Sequence, residues 1–426
     1  MHKRVQSIGI MLLFVSLFMM LVACSDSESS GTGDGSKEKV LEMWTRESSE
    51  LNVRAAVESF NAGDHGFTVK VKAIPNANFT DQFVSALASD TGPDILSIDL
   101  VFAPYFSSIG ALKDITDFYD SLEFKDQLMD SMVHTGSFKG KQYAVPFSAD
   151  VSALFYNKKH FKEAGLDPND PPQTWDELKE VAKKLTTDDR YGYTFAGADV
   201  GGQVFTFLPY IWGNGGAVLS EDGTESLINS PEAIEALQFY VDLVANEKVT
   251  PEGVPNYSWS QSQDAFTSGK ASMLITGNFF PRILSQDYPD LDWGLTLIPK
   301  NEGKNHSSFA GGELIAVPNS SKYVEEAKQF IEYVLSEQVQ VGVFAKEGGI
   351  PVREDLFANK YFKEEPRYQV FTEALKVAET PYSIQYNEIF SQPVLSSIQR
   401  ALKGEVSPQE AFRDAEKEIN KILDSK

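Results

Sequence analysis

The chain has one cysteine, Cys24, in 426 residues, so no internal disulfide can form and the fold must hold by packing alone. Basic residues are also scarce: 38 Lys and Arg stand against 61 Asp and Glu, a formal charge of −23. So acidic a surface repels nucleic acid and anionic lipid headgroups, which excludes nucleic-acid partners and disfavours polyanionic ligands. The five histidines, His2, His65, His134, His160 and His306, are scattered and show no HExxH spacing. With one thiol besides, no metal site and no cofactor are expected. No Gly-x-Ser-x-Gly elbow and no phosphate-binding loop occur, leaving serine hydrolysis and nucleotide chemistry without residues to carry them. No apolar run reaches the roughly 20 residues of a membrane span, and the lack of a fixed-period repeat excludes a solenoid.

What is present begins with a leader. Lys3 and Arg4 precede an apolar run from Ile8 to Val22, and small Ala23 stands before Cys24, the layout of a secretory signal. Leu21-Val22-Ala23-Cys24 resembles the bacterial lipobox. That resemblance implies that residues 1–23 are removed and that Cys24 is diacylated, anchoring the chain to the outer face of the membrane of a Gram-positive cell. The plainer alternative is an ordinary signal with a free or buried thiol nearby. Residues 24–39 read as a tether, because Ser25 to Lys39 is almost wholly Ser, Gly, Thr, Asp, Glu and Lys and offers no apolar side chain to a core. Loss of Lys3 and Arg4 makes the remaining chain two charges more negative.

Roughly 390 residues follow, enough for two domains with full cores. Val40 to Trp44, Thr68 to Ile74 and Asp94 to Ile98 predict strands. Between them a helix from about Ser49 and a stripe of Phe79, Phe83 and Leu87 predict helices, giving a βαβαβ run with loops at the strand carboxyl ends open to ligands. Gln142 to Pro146 and Ala153 to Tyr156 predict two strand-like runs separated by Phe147 to Ser152, read as a crossing between lobes. Thr174 with Glu177, Ser230 with Pro231, and Ser407-Pro408 with Glu410 predict helix starts. Ala271 to Ile275, Trp293 to Ile298 and Leu314 to Val317 predict strands, and Val324 to Val334 a helix. Gly348 to Arg353 interrupts the helical C-terminal third and reads as a third passage. Two lobes so joined imply a hinge and a closing cleft.

In this order the chain resembles the extracellular solute-binding proteins of carbohydrate importers, similar to maltose-binding protein. The resemblance rests on Trp44, Pro93-Asp94-Ile95-Leu96 with Asp99, Tyr143-Ala144-Val145-Pro146-Phe147 and Leu154-Phe155-Tyr156-Asn157-Lys158. It continues through Pro171 to Leu178, Trp212-Gly213-Asn214-Gly215-Gly216, Phe266 to Met273 with Gly277, Gly311-Gly312 and Gly348 to Arg353. It implies a type II periplasmic-binding fold of two α/β lobes, with lobe 1 from 40–149 plus 311–350 and lobe 2 from 150–310 plus 351–426. It further implies a monomer that hydrolyses nothing and hands a sugar to the permease subunits of an ATP-driven importer.

Sugar chemistry supports this. Hydroxyl rims need donors and acceptors, while C–H faces lie against aromatic rings. Trp44, Trp212 and Phe279 are candidate stacking faces, Trp212 because it is read in a flexible loop beside Gly213-Asn214-Gly215-Gly216. Asp99, Asp150, Asn214, Asn278, Gly312 and Glu313 are candidate rim positions, and the resemblance adds Tyr386. Arg46 and Arg353 can hydrogen-bond a sugar or serve as lobe–lobe charges. Trp44 can equally be core, Asp99 and Asp150 can be solvated or capping, and Trp175 reads as structural. The competing functions are a surface glycoside hydrolase or lyase, an adhesive lipoprotein, and a binding protein for a polyol or glycerophosphodiester.

Overall fold

The computed structural model describes residues 39–425; the leader, Cys24 and nearly all of the tether lie outside the described residues. The βαβαβ opening consists of β1 (Lys39–Arg46), the helix Glu50–Asn61, β2 (Phe67–Ile74), the helix Phe79–Ala88 and β3 (Ile95–Asp99). β1 runs parallel to β2 from Lys39↔Phe67 to Arg46↔Ile74, and parallel to β3 through Met43↔Ile95. Parallel strands with helical crossovers bring the ends of β1 and β3, Arg46 and Asp99, to the same edge of the sheet.

A short hairpin, β4 (Ser137–Phe138) with β5 (Lys141–Gln142), leads into β6 (Ala144–Asn157), followed by β7 (Met273–Gly277), β8 (Trp293–Thr296), β9 (Ser308–Ala316) and β10 (Ala378–Glu379). The strands join in one eight-stranded sheet of order β2-β1-β3-β9-β6-β7, with β8 on β6 and β10 on β9. Where two runs were expected, β6 is a single strand of 14 residues. The reason is pairing: Ser148 to Val151 bind antiparallel to Glu313 to Ala310 of β9, with an irregularity between Pro146 and Ser148. Beyond that point β6 pairs with β7 and β8 instead. β6 and β9 thus link a first α/β half, built on β1 to β3, to a second built on β7 and β8. β9 also begins at Ser308, well before the expected Leu314, and all its residues are buried.

Gly312 is a residue this crossing requires. Its φ is +124°, and a Cβ there would lie 2.0 Å from the Ser148 carbonyl oxygen, so only glycine lets the strands approach.

Helices clothe both halves. Phe330 of Val324–Val334 packs edge-on against Phe60, with centroids 5.0 Å apart. Trp175 stacks on Phe239 at 4.6 Å, the structural role expected of it. The capping boxes of Thr174 with Glu177 and Ser407 with Glu410 are formed, and Ser230 accepts from the Ala233 N–H; such caps contribute about 1 kcal/mol each. The Gly348–Arg353 segment is no continuous strand, making single bridges from Ile350 to Ala149 and from Arg353 to Leu128. Among the described residues, no helix is long and apolar enough to cross a membrane.

Candidate functional site

Sheet register assembles a charged group at the seam. Asp99, the last residue of β3, faces Glu313 of β9, and Arg46, the last residue of β1, reaches both. Its Nη1 lies 2.9 Å from Asp99 Oδ2, and its Nη2 donates to Glu313 Oε1. Glu313, 3% exposed, also accepts from Ser97 Oγ at 2.6 Å and Ser49 Oγ at 2.5 Å. Two strand positions along β9, Gly311 faces Asp150 of β6. The missing side chain at Gly311 leaves room for the Phe309 ring, which a Cβ there would approach to 2.8 Å, and the Asp150 carboxyl accepts no hydrogen bond from the described residues.

These groups floor a cavity of about 470 Å³, within the range of about 300–1,000 Å³ usual for small-molecule sites. The opposite wall is aromatic. The Phe205 ring centroid lies 5.1–6.3 Å from those of Trp259, Phe279 and Phe309, Trp259 lies 6.1 Å from Phe279, and Tyr386 lines the same space. Phe279 is 37% exposed. A second cavity of about 310 Å³ adjoins, sharing Ser48, Asn52, Ser148, Asp150 and Phe279 with the first.

Burial and charge set the protonation states. Burial works against the Arg46 charge, but Asp99, Glu313 and Asp150 outweigh it and raise its pKa. Burial raises Asp99 above the usual carboxylate range, opposed by Arg46. Asp150 is pushed up to about 7, first by burial and then by repulsion from Glu313, with Arg46 only partly offsetting both. Burial also raises the Tyr386 phenol, which therefore stays neutral and able to donate. Among the described residues, no group of three or more His, Cys, Asp or Glu could hold a metal ion.

Of the residues singled out from sequence, Arg46, Asp99, Asp150, Phe279, Gly312, Glu313 and Tyr386 meet in the main cavity, and Asn278 lines the adjoining one. The Asn278 amide is already committed: its Oδ1 accepts from the Val151 N–H at 2.9 Å, pinning β7's end to β6. Four others lie away from both cavities. Trp44 is 4% exposed with the Lys72 ammonium 3.9 Å from its ring centroid, because β1 and β2 pair these two residues. Trp212 is on the helix Leu208–Gly213 rather than in a loop, and its ring stacks behind Phe309 at 6.3 Å. Asn214 is fully buried, accepting from Asn301 and donating to Glu232 and Glu235. Arg353 pairs with Asp355 at 2.6 Å and lies over Phe124 at 4.2 Å.

Sequence reasoning missed Trp259, Phe205, Phe309 and Asp199. For Trp259 one signal existed: Ser258 and Gln261 form a capping box, which holds a tryptophan at the first turn of a helix, beside a loop. Phe205 and Phe309 are set by tertiary packing and carry no comparable mark.

Comparison with known proteins places this geometry. Residues 46–341 match the family described as bacterial extracellular solute-binding protein. The chain is 25% identical to the galactooligosaccharide-binding protein of Bacillus subtilis, over 97% of this chain and 96% of that one. Its fold superposes on the cyclic α-maltosyl-1,6-maltose binding protein of Arthrobacter globiformis with a TM-score of 0.79 and 28% identity, over 91% and 100% of the two chains. The same TM-score, identity and coverage hold for a Thermotoga lettingae solute-binding protein of an ABC transporter bound with α-D-tagatose. The two α/β halves joined through β6 and β9 are accordingly the lobes of a two-lobe binding fold, and the chain belongs to the bacterial extracellular solute-binding protein family.

Proposed function

We propose that the protein binds an extracellular saccharide, an oligosaccharide by the breadth of its aromatic wall, and delivers it to an ATP-driven importer. One observation carries this reading: the same cavity sets Phe205, Trp259 and Phe279 against a rim of Arg46, Asp99, Asp150 and Glu313, the two surfaces a sugar ring presents. The relatives named for oligosaccharides support it. Lobe 1 comprises 40–149 plus 311–350 and lobe 2 comprises 150–310 plus 351–426. Sugar binds one lobe, the other closes over it, and the closed form docks on permease subunits. Closure reports occupancy because the ligand touches both lobes and so binds the closed state better. The protein is a monomer that leaves its ligand chemically intact. Residues 1–23 are a cleaved leader, and a lipid on Cys24 holds the chain by residues 24–39 at the outer face of a Gram-positive cell membrane.

The test is a thermal-shift panel of mono- and oligosaccharides on protein stripped of ligand by unfolding and refolding, with the sugars assayed afterwards. A ligand at about 1,000 times its Kd adds roughly 4 kcal/mol, a shift of several degrees. A shift with one sugar class and no breakdown supports the reading. Cleavage of a sugar, or no shift with any, defeats it.

A further inference from the structure

In the main cavity the places that could receive an anion are each already occupied by a carboxylate. The first is Arg46, whose guanidinium is shared between Asp99 and Glu313. The second is the start of the helix Val200–Thr206, which reaches the cavity at Gly201 and Gly202. There Asp199 Oδ1 accepts the Gly202 N–H at 2.6 Å, filling the place an external anion would take. Asp150 then stands without a counter-ion of its own, half-buried, with Asp99 and Glu313 across β9, Arg46 engaged elsewhere and the Tyr386 phenol on the cavity wall. Arg282 belongs to the adjoining cavity, which it lines together with Glu347 and again Asp150, and is not part of the main one.

We propose that the cleft excludes anionic saccharides, that its ligands are uncharged or carry a basic nitrogen, and that Asp150 is the residue setting this choice. The inference rests on the saccharide reading above and adds the charge class of the sugar. A hydroxyl or ammonium group of the ligand donates to the unpartnered Asp150 carboxylate. A uronate or sugar phosphate at the same place sets like charges together where little water screens them, which costs most when a site is desolvated. Arg46 cannot relieve this without giving up Asp99 or Glu313.

The experiment is calorimetric titration of the purified protein at pH 8 with maltotriose, galactotriose and N-acetylchitotriose, and with the C6-oxidised uronate form of each. The uronate of whichever sugar binds is expected to bind at least about tenfold more weakly than its neutral parent. Asp150→Asn, which keeps an acceptor and removes the charge, is expected to narrow that ratio several-fold. A single cooperative thermal transition of the variant shows that it folds. Equal affinity for the neutral and oxidised sugar, or an unaltered ratio in Asp150→Asn, overturns the inference while leaving sugar binding in place. Failure of every sugar, charged or not, overturns the saccharide reading and this inference with it.

Discussion

Asp99 stands directly across from Glu313 in the register of β3 and β9, so two carboxylates that repel each other depend on one guanidinium between them. Glu313 is nearly inaccessible, and its remaining acceptor capacity is filled by Ser97 and Ser49. The arrangement holds the ends of β1 and β3 against the middle of β9 at the seam where the lobes meet. Its cost is that no member can be lost alone, because a buried charge left unpaired is expensive.

Arg46→Met is therefore expected to lower unfolding stability by about 3 kcal/mol, the scale for breaking a buried pair from one side. Adding Glu313→Gln is expected to restore part of that loss. Urea unfolding of the two variants at pH 8 checks this, and additive losses in the double variant would show that the pair is not coupled.

Trp259 and Trp212 are expected to part company on truncation. Trp259 is half-buried on the cavity wall, so Trp259→Ala is expected to weaken sugar binding about tenfold, the scale of one lost stacking face, with little change in stability. Trp212, 8% exposed behind Phe309, is a packing residue, and Trp212→Ala is expected to cost about 3 kcal/mol or more of stability. Calorimetry and thermal unfolding on both variants separate the roles.

Asp150 gives a pH signature. Its folded-state pKa of about 7 lies above the ordinary 3.8, so folding binds the proton more tightly than the unfolded chain does. The resulting stability is present in full below pH 4 and is lost as pH rises through 7. Asp150→Asn is expected to raise the unfolding midpoint of the ligand-free protein by a few degrees at pH 8 and by clearly less at pH 5, where only part of the stability has been lost. An equal shift at both pH values would mean that Asp150 is not held against its ionisation.

Cys24 is tested in the cell. Wild-type protein is expected to take up labelled palmitate and to sediment with membranes, and Cys24→Ala to lose the label. A Cys24→Ala protein that is still cut between residues 23 and 24, or that keeps the label, would contradict the lipid assignment.

How much of this was legible beforehand follows from what fixes each feature. The opening βαβαβ run and the capped helices are written in local periodicity and in pairs such as Thr174 with Glu177. Asp99 and Asp150 were found because one follows a strand and the other lies on the crossing, positions that the family resemblance places at the cleft, and Arg46 only as a side chain able to hydrogen-bond a sugar or to serve as a lobe–lobe charge. The continuity of β6 through Ser148 to Asp150 was not legible, since its polar residues are held in a strand by β9, which lies more than a hundred residues away. Trp212 misled because a run of glycines reads as a loop, whereas Leu208 to Ile211 before it build the helix that carries it. The aromatic wall escaped because Phe205, Trp259 and Phe309 come from three separate segments that only the tertiary fold brings together.

The most direct measurement is diffraction from crystals grown with the sugar that gives the largest thermal shift. The expected result is a sugar ring against Trp259 and Phe279, a hydroxyl within hydrogen-bonding distance of Asp150, and both lobes in contact with the ligand. Density for the sugar elsewhere, as in the surface groove beside Ser396 and Arg400, with the cleft filled by solvent alone, would contradict the assignment of this cavity as the binding site.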